Sequence, residues 1–284
     1  MQSSAIFPKV VSFLLLSLLS PMCQGHGRLL EPPSRSSMWR LGYDTPHNYD
    51  DNQLFCGGVG VQYGQNGGKC GVCGDPWNGP LDNEAGGKYA TGIIVRKYRT
   101  GQVIDVTVEL TANHKGYFEF HVCPSDNPFA KITHECLKKY PLLVEDTGKV
   151  RYQVPEDGYN VKIKLKLRLP EGLKCRACVL QWKYNAGNSW GTGPDGTQCV
   201  GCGNQEQFYG CADIAVGYSD VSLNRPPVQH PWYFQEEDSE WHYGIVKTNL
   251  KTNVTSGNGV DRLAQSHVFG SLVLSFLTFL FCHF

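Results

Sequence analysis

An excess of charge of either sign is missing from this sequence: 26 basic side chains face 26 acidic ones, for a formal net charge of zero. That balance leaves no electrostatic footprint for nucleic acid, and no nucleic-acid partner is expected. Helical periodicity is scarce and no internal repeat is visible, which excludes helical bundles and solenoids. Nothing singles out the pair of carboxylates that glycoside hydrolysis requires. Histidine is sparse too, nine in 284 residues. Two of the nine lie in a terminal apolar tail, leaving His26, His47, His114, His121, His134, His230 and His242.

What is present is a pattern of short strands. YATGIIVRKY, GQVIDVTVELTA, YFEFHVC, KVRYQV, YNVKIKLKLRL, CVLQWKYNA and CADIAVGY are separated by turn residues such as RTG, EDG and PEG. In KIKLKLRLP at 162–170, apolar residues alternate with Lys and Arg at period two, so the charges form the solvated face of a strand and not a binding patch. Many short strands without intervening helices predict an all-β fold of two packed sheets. The Gly-rich segment GGVGVQYGQNGGKCGVCGDPWNGP predicts long decorated loops, where function tends to sit. One domain is expected over 26–245, of roughly 220 residues, a normal size for an all-β sandwich.

Both ends carry processing signals. Residues 1–25 combine Lys9, the apolar run VVSFLLLSLLS and the small residues Cys23 and Gly25, the layout of a secretory signal peptide. Cleavage after Gly25 would make His26 the first residue. A polar stalk is expected over 246–258, with Asn253 in the N-x-S/T acceptor Asn253-Val254-Thr255. Small residues around Gly257, a polar spacer and the apolar tail within 259–284 match a GPI-anchor signal, with Gly257 a candidate attachment residue. The alternative is a short transmembrane anchor. The expected location is therefore extracellular, tethered to the cell surface.

Of the twelve cysteines, Cys23 and Cys282 fall in the end segments. The remaining ten are Cys56, Cys70, Cys73, Cys123, Cys136, Cys175, Cys178, Cys199, Cys202 and Cys211. Three C-x-x-C spacings would suggest zinc in the cytosol, but in a secreted chain they argue for disulfides. Connectivity is not deducible, although Cys123 with Cys136 is a reasonable local pair.

Two histidines stand apart. A terminal His26 would offer an amine and an imidazole, and His114 follows the strand ending LTAN at one end of the sheet. Three nitrogen donors suit copper. Around these residues HGRLLEPPSRSSMWR, TANHKGYFEF and QEQFYGCADIAVGY resemble the lytic polysaccharide monooxygenases, in particular the animal and insect class. The resemblance implies an immunoglobulin-like or fibronectin-III-like β-sandwich and one copper ion held by His26 and His114. It also implies Phe208 as the axial aromatic, with Tyr209 the alternative if the register slips. Ala112 would be a small residue leaving space at the metal, and Glu206 a polar group behind it. The implied reaction is oxidation at C1 or C4 of a glycosidic link with O2 or H2O2 and an external electron donor. Crystalline polysaccharide is the implied partner, chitin first and cellulose second, with the protein acting as a monomer. Trp39, Tyr43 and Trp77 are candidates for the substrate face. A copper-handling surface protein or a non-catalytic chitin-binding matrix protein are the alternatives.

Overall fold

The computed structural model describes residues 26–156 and 158–218, all within one compact unit, Gln24–Tyr233. The expected signal peptide, the stalk with Asn253, and the tail with Gly257 lie outside the described residues. Within them no helix is long and apolar enough to cross a membrane.

Among the described residues eleven strands run in chain order: β1 His26–Glu31, β2 Arg96–Tyr98, β3 Val103–Ala112, β4 Tyr117–Cys123, β5 Leu143–Val144, β6 Arg151–Gln153, β7 Val161–Arg168, β8 Cys175–Asn185, β9 Trp190–Thr192, β10 Gln198–Val200 and β11 Gln207–Val216. A four-stranded sheet in the order β1-β3-β7-β5 packs on a five-stranded sheet in the order β2-β11-β8-β4-β6. The fold is an all-β sandwich. Alternation builds it: β3 buries Ile104, Val106, Val108, Leu110 and Ala112, and β7 buries Ile163, Leu165 and Leu167 while its lysines face out. β8 is buried on both faces because a long loop covers its outer side. At the centre lie Trp182, Tyr184, Phe118 and Phe120, fully buried and in edge or stacked contact.

The long loop between β1 and β2 carries the Gly-rich segment and is stapled to the outer face of the five-stranded sheet. Cys73 bonds Cys211 of β11, and Cys56 bonds Cys70 within the loop. Cys175–Cys178 and Cys199–Cys202 close on themselves. The C-x-x-C of Cys70 and Cys73 does not, because its two sulfurs serve different partners. Cys123 pairs with Cys136, as expected, but the segment between them is not all loop: a short helix, α1, spans His134–Lys139, capped by the Thr133 hydroxyl accepting from the Cys136 N–H.

Candidate metal centre

β1 begins at His26, and its register against β3 sets His26 opposite Ala112, two residues before His114. A bulge between His26 and Gly27 turns the first residue away from the ladder that follows. Gly27 has no room for a side chain: a Cβ would stand 2.7 Å from Leu110 Cδ2 and 3.2 Å from the Trp182 ring. His114 sits in the β3–β4 turn, held from both sides. Its N–H donates to the Tyr184 hydroxyl at 2.9 Å, and its carbonyl accepts from the Gly187 N–H at 2.8 Å. The turn closes through left-handed Lys115 and Gly116 (φ 55° and 82°), where a Cβ on Gly116 would lie 2.1 Å from the Asn185 carbonyl oxygen.

The His114 ring is buried. Burial first, and then the neighbouring His26, push its pKa down to about 4. It is therefore a neutral imidazole with a free lone pair over the whole physiological range, the form a metal needs. Phe208 on β11 is fully buried, with its ring 6.4 Å from that of His26. Phe55 and Tyr184 stack on it at 6.0 and 5.7 Å. The centre thus has two imidazoles at one edge of the sandwich and a rigid apolar ring beneath. Among the described residues no three His, Cys, Asp or Glu side chains cluster to hold a metal. A terminal His26 would add its amine to the two rings as a third nitrogen donor. That all-nitrogen donor set fits copper.

The model of the family described as "Lytic polysaccharide mono-oxygenase, cellulose-degrading" matches residues 26–214, nearly the whole sandwich. The chain belongs to the lytic polysaccharide monooxygenase family. Among solved structures it is similar to the AA15 lytic polysaccharide monooxygenase from Thermobia domestica in the Cu(I) state, with 44% identity and a TM-score of 0.65 over 67% of this chain and 98% of that one. The cellulose-active CelS2 in complex with copper covers the same shares at 15% identity and a TM-score of 0.37, too distant to inform this site. Comparison with curated proteins returns no match.

In this monooxygenase a strap fixes β1, which begins at His26, relative to β3, which leads into His114. The Asn52 carbonyl accepts from the Gly27 N–H at 3.0 Å, and its side-chain amide donates to the Thr111 hydroxyl at 2.8 Å. The strap is itself tied down by Asp51, whose fully buried carboxylate pairs with Arg28 at 2.9 Å and Arg40 at 2.5 Å. None of these four contacts was legible in the sequence, since they depend on how the β1–β2 loop folds back on β1 and β3.

The other expected residues are placed as follows. Ala112 is buried across from His26. Glu206 is buried, its carbonyl accepts from the Ala186 N–H, and its carboxylate helps hold the Tyr184 hydroxyl protonated behind burial as the main cause. Tyr209 is turned to the opposite face of β11 from Phe208, as strand alternation demands. It packs on Cys56 and Cys70 and donates to the Gln207 amide oxygen at 2.8 Å, so it has no place at the metal. Trp39 and Tyr43 are both half-buried, and Trp39 meets the exposed Tyr49 edge-on at 5.4 Å. Trp39 stacks on His47 at 4.6 Å beneath Arg40, and Tyr43 packs against the core with its hydroxyl donating to the Val95 carbonyl.

The exposed aromatics beside the centre are different ones. Tyr49 lies in the loop that ends at the Asn52 strap. The Tyr159 carbonyl accepts from the Asn113 N–H at 2.9 Å. Trp190 opens the β9–β10 hairpin, which springs from Gly187, the residue bonded to the His114 carbonyl. All three are well exposed, Trp190 at 68%. A signal for Trp190 was available: the stretch 186–204 carries only one charge, Asp195, and that carboxylate is spent closing the turn through Thr197.

The His114 environment carries a pH consequence. Its folded pKa of about 4 lies below the ordinary imidazole value of about 6.5, so the unfolded chain takes up the proton first as pH falls. Stability of the copper-free protein should therefore fall between about pH 6.5 and pH 4 and level off below. Burial pushes His121 in the same direction and adds to the slope. Denaturant titrations at pH 7 and pH 4.5 should show a smaller acid loss for His114→Gln than for the wild type. Equal losses would mean that the ring is not kept neutral.

Proposed function

We propose that this monooxygenase holds one copper ion through the His26 amine, the His26 ring and the His114 ring, and oxidatively cleaves the glycosidic bonds of chitin, with cellulose the alternative substrate. The observation that carries the reading is the pairing of His26 with the buried, neutral His114 at the edge of the sandwich, in a chain of this family. Copper, when bound, would supply one-electron redox chemistry towards O2 or H2O2, fed by an external electron donor.

The protein's own residues do the positioning. Tyr184 and Gly187 hold the His114 backbone from two sides, and the Asn52 strap holds Gly27 against Thr111. Phe208 presents carbon and no lone pair, so it closes one side to a further strong ligand and to water. Its two stacking partners keep it there. Tyr49, Tyr159 and Trp190 would meet the polymer, because flat aromatic rings stack on the C–H faces of sugars. Replacing Trp190 by Ala should lower retention on insoluble polysaccharide several-fold while leaving copper affinity unchanged; unchanged retention in a pull-down would remove Trp190 from that face.

The proposed enzyme is extracellular and monomeric, and the five disulfides among the described residues suit an oxidising compartment. We place His26 at the mature N-terminus and a GPI anchor near Gly257, with Asn253 glycosylated on the stalk. A GPI-specific phospholipase should then release the protein from intact cells. Retention after that treatment, with an epitope placed behind His283 still present, would make the tail a membrane span.

The functional test is incubation of copper-loaded protein, starting at His26, with chitin or cellulose and ascorbate, followed by mass spectrometry of soluble products. Oxidised oligosaccharides from one polymer name the substrate. Copper binding without products from either polymer contradicts the enzymatic reading.

A further inference from the structure

Away from the metal centre the described residues enclose a cavity of about 460 Å3 between the stapled loop and the approach to α1. Its volume lies in the ~300–1,000 Å3 range of small-ligand sites. The floor is apolar, Val72 and Ile132, both in a separate small core on the outer face of the five-stranded sheet. Trp77 stands on the wall, half exposed at 50%, with the Lys69 ammonium 5.3 Å from the ring centroid. Both walls are fixed to the sheet by disulfides, one through Cys73–Cys211 and the other through Cys123–Cys136. The cavity is therefore preformed and rigid. Its polar groups are fixed as well. Glu84 is buried, with one carboxylate oxygen accepting from the Val72 N–H at 2.8 Å, and the His134 Nε2 lies 2.8 Å from the Cys70 carbonyl oxygen, to which it donates.

The charges decide what such a site takes. Glu84 and Glu135 line it, which disfavours an anion; Lys131 lines it and Lys69 covers the Trp77 ring, which disfavours a cation. An acyl chain would leave the buried Glu84 carboxylate facing hydrocarbon. A neutral polyol satisfies every wall: a sugar ring stacks its C–H face on an indole and offers hydroxyls that both donate to a carboxylate and accept from an ammonium. We infer that this cavity binds a neutral pyranose unit at the end of a soluble oligosaccharide. It is separate from the metal centre. Cys211, beneath its wall, follows Phe208 by three residues, roughly 10 Å along the strand, and the cavity opens on the outer face, away from the Phe208 ring. A concave site takes a chain end and not a crystal face, so the fitting ligands are short fragments of the polymer the enzyme attacks. The choice of sugar rests on the polysaccharide reading above; the existence of the site does not.

The test uses copper-free protein, so it does not depend on turnover. Neutral oligosaccharides of chitin and of cellulose are titrated into the isotope-labelled protein and followed by NMR, with a uronic-acid oligosaccharide as the charged comparator. Expected are saturable shifts at the Trp77 indole, Ile132 and His134 with a neutral sugar, and none with the acidic one. Trp77→Ala should weaken binding by about tenfold or more, and Trp77→Tyr, which keeps a ring, should restore part of it. Because Trp77 belongs to none of the apolar clusters, the melting temperature of both variants should stay at the wild-type value. Shifts confined to His26 and His114, binding that survives Trp77→Ala, or no binding by either neutral sugar would each overturn the assignment. Oxidised products without binding at Trp77 would sink this site and leave the enzymatic reading standing. Binding at Trp77 without products would do the reverse.

Discussion

A protein carrying one extra residue ahead of His26 is expected to bind Cu(II) at least about a hundredfold more weakly than the protein that starts at His26. The extra residue turns the amine into an amide, whose nitrogen lone pair is delocalised into the carbonyl and is no longer a donor of comparable strength. Loss of a residue that merely orients a ligand costs about 10- to 100-fold in metal affinity, so loss of a ligand itself should cost more. The fold has no substitute to offer, since among the described residues no third His, Cys, Asp or Glu side chain joins the two histidines. His114→Ala should produce a comparable collapse. In both variants the melting temperature of the copper-free protein should change little, because the His26 end of β1 is partly open and His114 is held by its backbone, not its ring. Competition titration with a chelator of known copper affinity reads the first effect and calorimetry the second. Wild-type affinity in the extended protein would remove the amine from the donor set.

The second large effect concerns stability. Arg35 is the buried tie between the segment after β1, the stapled loop and β11. Its guanidinium donates twice to Asp213, at 2.7 Å each, and once to the Asn83 carbonyl at 2.8 Å. Side-chain exposure of the pair is 2% and 1%. Arg35→Met would leave the Asp213 carboxylate buried without its cation, a loss of about 3–5 kcal/mol. Set against a typical total of about 5–15 kcal/mol, that is a large share. Urea unfolding at pH 7 with disulfides intact should show it. The double variant Arg35→Met/Asp213→Leu should recover a good part, because the stranded charge is gone. A single-variant loss below about 1 kcal/mol would mean that water reaches the pair and that the loop is less tightly seated than described.

How much of this was legible in the sequence follows from the range of each interaction. Alternation within a strand is local, so β3, β4, β7, β8 and β11 could be read directly, and with them the all-β sandwich. The Lys-rich stretch of β7 reads as a strand with a solvated face for the same reason. Disulfide connectivity is not local. Cys73 and Cys211 stand 138 residues apart and meet only because the Gly-rich loop folds back over β11, which no spacing rule reports. YATGIIVRKY promised a long strand, yet only Arg96–Tyr98 pairs, as a short parallel edge strand on β11.

At the candidate site, His26 and His114 stood out through position and resemblance, and the register that sets His26 opposite Ala112 is a property of the folded sheet. Tyr184 and Asn52 could not be picked out, because a tyrosine in a strand and an asparagine in a loop announce no partner. Their roles appear only when β8 and the strap arrive beside the histidines. For Trp39, a tryptophan in an early loop suggests a binding face, and only the fold shows it half-buried, with His47 stacked on it, Arg40 over its ring and Tyr49 at its edge. Phe208 and Tyr209 are adjacent in sequence, and only the pleat decides which ring turns towards His26.

The donor set at His26 and His114 carries the proposed copper chemistry. The most direct measurement is the electron paramagnetic resonance spectrum of protein beginning at His26, loaded with one equivalent of Cu(II). Three nitrogen couplings at 1:1 stoichiometry are expected, reduced to two on His114→Ala. A spectrum of oxygen-ligated copper, or one unchanged by His114→Ala, would contradict it.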